Sequence, residues 1–213
     1  MATVTLAKLP TIEPSIIIPT EPIGRLSVEH YHAMIQTGIL TDDDPIELLE
    51  GWLVVKMSKN PPHRVTTRLL RQALERMIPT GWYVDSQEPI TTLDSQPEPD
   101  VTVVRGDTLD YLDRHPNPQE VGLVVEVADA TLQRDRSTKK RVYARADIAV
   151  YWLVNLVKQQ IEVYTEPTQT GKQPDYRKHH IYQLTDTIPV VLDGVEVGRI
   201  AVHEVLPQKK AGV

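Results

Sequence analysis

Pro99-Asp100-Val101-Thr102-Val103-Val104 and, a polar loop later, Leu123-Val124-Val125-Glu126-Val127 are two short apolar runs that each carry one carboxylate. Their length and their β-branched residues predict strands, and the second, apolar on both faces, predicts a strand in the middle of a sheet. An ionised glutamate in such a run is costly unless a cation or an ion partner meets it. If the two strands are neighbours, their carboxylates face each other at the spacing a hard divalent cation takes, with a backbone carbonyl and waters completing its coordination. Read alone, Asp100 is also the residue after a proline that starts a strand, and Glu126 a buried partner for an arginine.

Working outward, Ser27 precedes a helix over 28–37 that stops at Gly38, and the acidic turn Asp42-Asp43-Asp44-Pro45 leads into a hairpin, 46–50 and 52–57, around Gly51. Pro61-Pro62 opens a helix to about Ile78 whose apolar face includes Val65, Leu69, Ala73 and Leu74. Further strands are predicted at 82–85, 90–93, 149–154, 161–164, 176–184, 188–192 and 195–202, the last two joined at Asp193-Gly194, and a helix at 135–146. The result is an α/β (α+β) chain with a mixed central sheet flanked by helices. A single domain is expected over 25–207, between an extended arm, 1–24, with four prolines and one basic residue, and a tail, 208–213.

Cysteine is absent, which excludes disulfides, thiolate zinc sites and a cysteine nucleophile. The arm lacks the unbroken apolar core of a signal peptide, and no apolar run approaches the roughly 20 residues a membrane helix needs; a cytoplasmic protein without a membrane span is expected. A net charge of −6 argues against coating nucleic acid by bulk electrostatics but leaves room for a locally basic cleft. The densest basic stretch, Arg134 to Arg145, reads as a solvated helix face or as such a cleft. Nucleophile elbow, phosphate loop and dinucleotide fingerprint are all missing, and the seven histidines form no helical zinc pair. Asp135-Arg136-Ser137-Thr138-Lys139 supplies a lysine that, beside the acids, would orient an attacking water or stabilise charge on phosphorus.

These residues carry a resemblance. Arg25-Leu26-Ser27-Val28-Glu29-His30-Tyr31, Glu47-Leu48-Leu49-Glu50-Gly51, Met57-Ser58, Pro62-His63, Pro97-Glu98-Pro99-Asp100-Val101, Glu126-Val127-Ala128-Asp129, Asp135-Arg136 with Lys139, and Tyr151-Trp152-Leu153-Val154-Asn155 resemble the Uma family of restriction-endonuclease-like proteins, similar in fold to the PD-(D/E)-x-K nucleases. The resemblance implies a metal site on Asp100 and Glu126, with the Val127 carbonyl as a further ligand, and Mg²⁺, or Mn²⁺, as cofactor. The nuclease lysine belongs two residues after the second acid, where this chain has Ala128, so Lys139 is recruited from the following helix, with Lys140 as its competitor. Glu50 and His63 lie in matching segments and would bind metal or contact phosphate; Arg136 and Lys140 are expected on nucleic acid.

The function expected is a Mg²⁺-dependent endonuclease, with Asp100, Glu126 and Lys139 catalytic, acting on double-stranded DNA as a homodimer. Its rivals are an inert nucleic-acid-binding relative and a structural or interaction module of the same fold. Removing Lys139 is expected to abolish cleavage and leave folding nearly intact.

Overall fold

The computed structural model describes residues 23–41, 43–57, 59–169 and 173–206. The arm expected over 1–24 lies outside them but for its last two residues, as do Asp42, Ser58 and the tail 208–213.

Ser27 caps α1 (Val28–Gln36) by accepting from the His30 N–H. Strands β1 (Ile46–Leu49) and β2 (Trp52–Val55) form the first hairpin. Its turn residues Glu50 and Gly51 both have positive φ, 50° and 77°, the backbone a tight hairpin needs. A Cβ on Gly51 would stand 2.9 Å from the Leu26 carbonyl oxygen, so the approach of the incoming chain also requires glycine. Asn60 caps α2 (Pro61–Glu75), whose first turn takes the prolines where no N–H is needed.

Next come β3 (Trp82–Asp85), β4 (Val101–Arg105) and β5 (Val121–Ala128), the last buried at every position. A helical rod follows: α3 (Leu132–Arg134), a π-helical turn at Asp135–Lys139, and α4 (Lys140–Arg145). The chain then adds β6 (Val150–Asn155), β7 (Gln160–Thr168), β8 (Asp175–Gln183), the hairpin β9 (Thr187–Leu192) and β10 (Val195–Ala201), and α5 (Val202–Val205).

Strands β3 to β8 lie in chain order in one sheet, antiparallel throughout except for the parallel pair β5–β6. A parallel pair needs a long crossover, and the rod supplies it. Side chains alternate between two cores. Val125, Val127, Trp152 and Val154 face α2, the β9–β10 hairpin and α5. Val124, Ala128, Tyr151 and Leu153 face Val142 and Tyr143 of α4. Glu126 alternates with the second set and so enters the side covered by the rod. Val101 pairs with Val125 and joins the first core, which places the preceding Asp100 on the rod side too.

The mixed sheet flanked by helices is as the sequence predicts. The strand expected at 90–93 is instead a loop folded on itself: the Ile90 N–H donates to the Pro97 carbonyl and the Thr92 N–H to that of Ser95. Ile90 is a buried anchor while Leu93 is 92% exposed, so the apolar residues there record one plug rather than a period of two. The helix predicted to Ile78 ends at Glu75, and the one predicted from Asp135 begins at Leu132.

Glu162 on β7, 1% exposed, accepts from the forked guanidinium of Arg136, from the Tyr164 hydroxyl at 2.8 Å, and from Asn155 and Gln160. Burial pushes its carboxyl up, but these donors more than offset that and hold it at about 2. Because the folded value lies below the ordinary 4.5, the stabilisation is present above that pH and is lost as pH falls through 2. Glu162→Gln should melt below wild type at pH 7, and the gap should close as pH drops from 4.5 to 2 in thermal scans.

Candidate active site

Asp100, 6% exposed, accepts the Val127 N–H at 2.9 Å on Oδ2, and the same oxygen lies 3.0 Å from His63 Nε2 at the start of α2. Oδ1 lies 3.9 Å from the Lys59 ammonium. Glu126, 3% exposed, accepts on Oε1 from Lys139 Nζ at 2.8 Å and from the Tyr143 hydroxyl at 2.5 Å. The Lys139 ammonium also lies 3.3 Å from Oε2 of Glu47, fully buried on β1. Asp135 opens the π-turn and Lys139 closes it, and these two are the buried residues of that turn. A π-turn is a common device for setting side chains at functional sites. Sheet, hairpin, α2 and rod thus converge on a cavity of about 70 Å³, room for a few waters, floored by Glu47, Asp100, Glu126 and Asp135.

Four acids meet one buried ammonium here. Burial drives the Glu126 carboxyl up, Lys139 draws it back, and Asp100, Asp135 and Glu47 push it up again, to about 8. Burial pulls Lys139 down, but Glu126, Glu47 and Asp135 overcome that and keep it cationic. Asp100 resists burial through His63, the Val127 N–H and Lys139, and its carboxyl sits below the usual range. Asp135 is raised, by burial first.

Glu47 Oε1 and Asp135 Oδ1 are buried without a hydrogen-bond partner. An excess of hard, under-satisfied oxygens fits a hard divalent cation. Among the described residues no three His, Asp or Glu side chains already stand grouped for a metal, and in this arrangement Lys139 and His63 occupy the carboxylates instead.

Of the residues singled out in the sequence, Asp100, Glu126, Val127, Lys139 and His63 line this cavity. Glu50, expected as a metal ligand, does not. Its carboxylate clamps Arg141 and, at 2.8 Å, Arg145, and Arg141 holds it below the usual range. Arg136 and Lys140, expected on nucleic acid, are also turned away: Arg136 grips Glu162, while Lys140 pairs with Asp175 at 2.7 Å over the Tyr164 ring. Side chains one residue apart on a helix point about 100° apart, so Lys139 and Lys140 cannot share a target. Sequence reasoning missed Glu47, Asp135 and Tyr143. Glu47 carried the same signal as Glu126, an acid inside an apolar strand. The cations at the cavity mouth are Lys56, Lys59 and Arg134.

The family model described as "Uma2: Putative restriction endonuclease" matches residues 28–202. Among solved structures, a "putative nuclease belonging to DUF820" from Anabaena variabilis is similar in fold, with a TM-score of 0.61 at 10% identity, covering 85% of this chain and 97% of its own. No curated protein matches the chain.

Burial also changes what losing Lys139 does. Lys139→Met leaves Glu126 without a counter-charge and Glu47 and Asp135 with only the Arg134 guanidinium, 4.0 and 3.9 Å away, and breaking a buried pair of this kind costs about 3–5 kcal/mol, so folding is not spared. The loss should be largest at pH 8 and relieved at pH 5, well below the value of about 8 to which the Glu126 carboxyl is pushed, where Glu126 holds a proton. Glu126 has the opposite linkage from Glu162. Its folded value, about 8, exceeds the ordinary 4.5, so the associated stability is complete below 4.5 and lost as pH rises through 8. Glu126→Gln should therefore melt with a flatter pH profile than wild type between pH 5 and 9, as differential scanning calorimetry would show.

Proposed function

The chain belongs to the Uma2 family, and on that premise we propose that it is a magnesium-dependent endonuclease that hydrolyses phosphodiester bonds in DNA, with manganese able to substitute. The observation that carries this reading is the convergence of Asp100, Glu126 and the Lys139 ammonium, from three different elements, in one cavity. In the reaction a water oxygen forms a new bond to phosphorus and gives up a proton to solvent, the bond from phosphorus to the leaving sugar oxygen breaks, and that oxygen takes up a proton from solvent.

Asp100 and Glu126, with the Val127 carbonyl, would hold the cation, which supplies Lewis acidity to a phosphoryl oxygen and acidifies a water. His63 and the Val127 N–H hold the Asp100 carboxylate in place through the same oxygen. Lys139, kept cationic by its acids, is suited to orient the attacking water and to stabilise charge developing on phosphorus, not to accept a proton. Lys59, with a side chain 41% exposed at the mouth, is placed to meet the phosphate backbone. A homodimer would present two such sites to a duplex. No helix among the described residues is long and apolar enough to cross a membrane, and DNA as substrate fits a cytoplasmic protein.

Calorimetric titration with Mg²⁺ and Mn²⁺ tests the proposal. Wild type should bind one cation per chain and release protons at pH 7, because cation and proton compete for the Glu126 carboxyl. Asp100→Asn should lose at least tenfold in affinity and fail to nick supercoiled plasmid. Equal binding by wild type and Asp100→Asn, or plasmid nicking undiminished in that variant, would sink the site; cation binding without cleavage of any DNA would favour an inert relative.

A further inference from the structure

The catalytic cavity continues sideways. Lys56 and Glu98, ion-paired at 2.8 Å, line both it and a second hollow of about 390 Å³ beside α1. Ile35, Gln96 and His115 are shared in turn by that hollow and a third, of about 670 Å³, between α1 and residues 111–117. The three adjoin in a row, a trench divided by these shared residues, and the outer two fall within the roughly 300–1,000 Å³ of small-ligand sites.

The trench is not lined as a phosphate groove. The Arg114 guanidinium is taken by Glu120 at 2.6 and 2.7 Å, and the Lys56 ammonium by Glu98. The Tyr111 phenol is engaged as well, donating to the Arg105 carbonyl at 2.7 Å under the Arg114 guanidinium, and the flat groups the hollow presents are the imidazoles of His32 and His115. At the floor Gln96 is 3% exposed. Its Oε1 accepts from His32 Nε2 and from the Thr91 hydroxyl at 3.3 Å, which leaves its amide NH₂ without a protein acceptor among the described residues. A buried amide donor among ring faces is a site for a planar ligand rich in acceptors. Phosphate contacts position a strand, while stacking and edge contacts of this kind read bases.

Resting on the nuclease reading of the cavity, we propose that this trench is a nucleobase subsite, which receives unpaired nucleotides flanking the scissile phosphate. A base in a duplex has its faces stacked and its pairing edge engaged, so it cannot reach a residue as deeply buried as Gln96. An unpaired base offers both face and edge. The preferred substrate is then a single strand, or a duplex with a frayed or extruded nucleotide.

Fluorescence anisotropy with the full chain, Ca²⁺ replacing Mg²⁺, tests this on a labelled twelve-nucleotide DNA strand and on a hairpin duplex of the same sequence. The single strand should bind at least tenfold more tightly. Gln96→Ala and His32→Ala should each remove most of that preference and leave duplex affinity unchanged. An abasic sugar moved stepwise along the strand should weaken binding to wild type at one or two adjacent positions and have no such effect in Gln96→Ala. Should Gln96→Ala fail to fold, the abasic scan on wild type and His32→Ala still decides. Equal affinity for strand and duplex, a preference untouched in folded variants, or a flat abasic scan overturns the trench while leaving the nuclease standing. No salt-dependent binding to either DNA overturns the nuclease reading and the trench with it.

Discussion

A single buried ammonium holds three parts of this protein together. Lys139 reaches Glu126 on the central strand at 2.8 Å and Glu47 on the first hairpin at 3.3 Å, while its own backbone closes the π-turn of the rod. Without it, a hairpin acid, a strand acid and a helix acid would face one another across a small cavity in a medium where like charges repel strongly. The ammonium makes that approach tolerable but does not neutralise it. The remaining negative charge is what raises the proton affinity of the Glu126 carboxyl.

The lysine reaches the acids only because the rod is fixed on both sides. Glu162 on β7 grips Arg136, three residues before Lys139, and Glu50 in the hairpin turn grips Arg141 and Arg145 just after it. Arg145 reaches on to Asp94 at 2.8 Å. These arginines sit in the densest basic stretch of the sequence, yet Arg136, Arg141 and Arg145 present no free cationic face; they are a set of fasteners. Arginine suits that task because its planar fork engages both oxygens of a carboxylate. The cations that line the cavity mouth, Lys56 in its pair with Glu98, Lys59, and Arg134, which donates to the Val55 carbonyl at 2.9 Å, come from the end of the hairpin, the approach to α2 and the start of the rod.

Much of this was legible in the sequence. Alternation and strand length marked β3, β4, β5 and the later hairpin, and prolines and caps marked α1 and α2, because these signals act within a few residues of one another. Acids inside apolar runs marked Asp100 and Glu126, since no such residue is buried without a partner. Their meeting on one face follows from strand parity and antiparallel register, both implicit in the two runs. The same logic applied to Ile46-Glu47-Leu48-Leu49 marks Glu47, whereas Glu50, the acid beside the glycine, turns to Arg141 and Arg145.

What only the tertiary structure decided is which way each charge turns. Glu50 and Arg141 lie 91 residues apart, and no local window holds the information that they meet. That Lys139 faces the acids while Lys140 faces Asp175 depends on the rotation of the rod about its axis, set by Val142 and Tyr143 packing against the sheet together with the clamps at either end. That Ile90 plugs a loop instead of joining a strand depends on the backbone of Pro97 that receives its N–H. The sequence by itself determined which residues had to be buried and which of them carried charge. The docking of elements distant along the chain chose their partners, because a charge in a low-dielectric interior is stabilised only by what stands within a few ångströms of it.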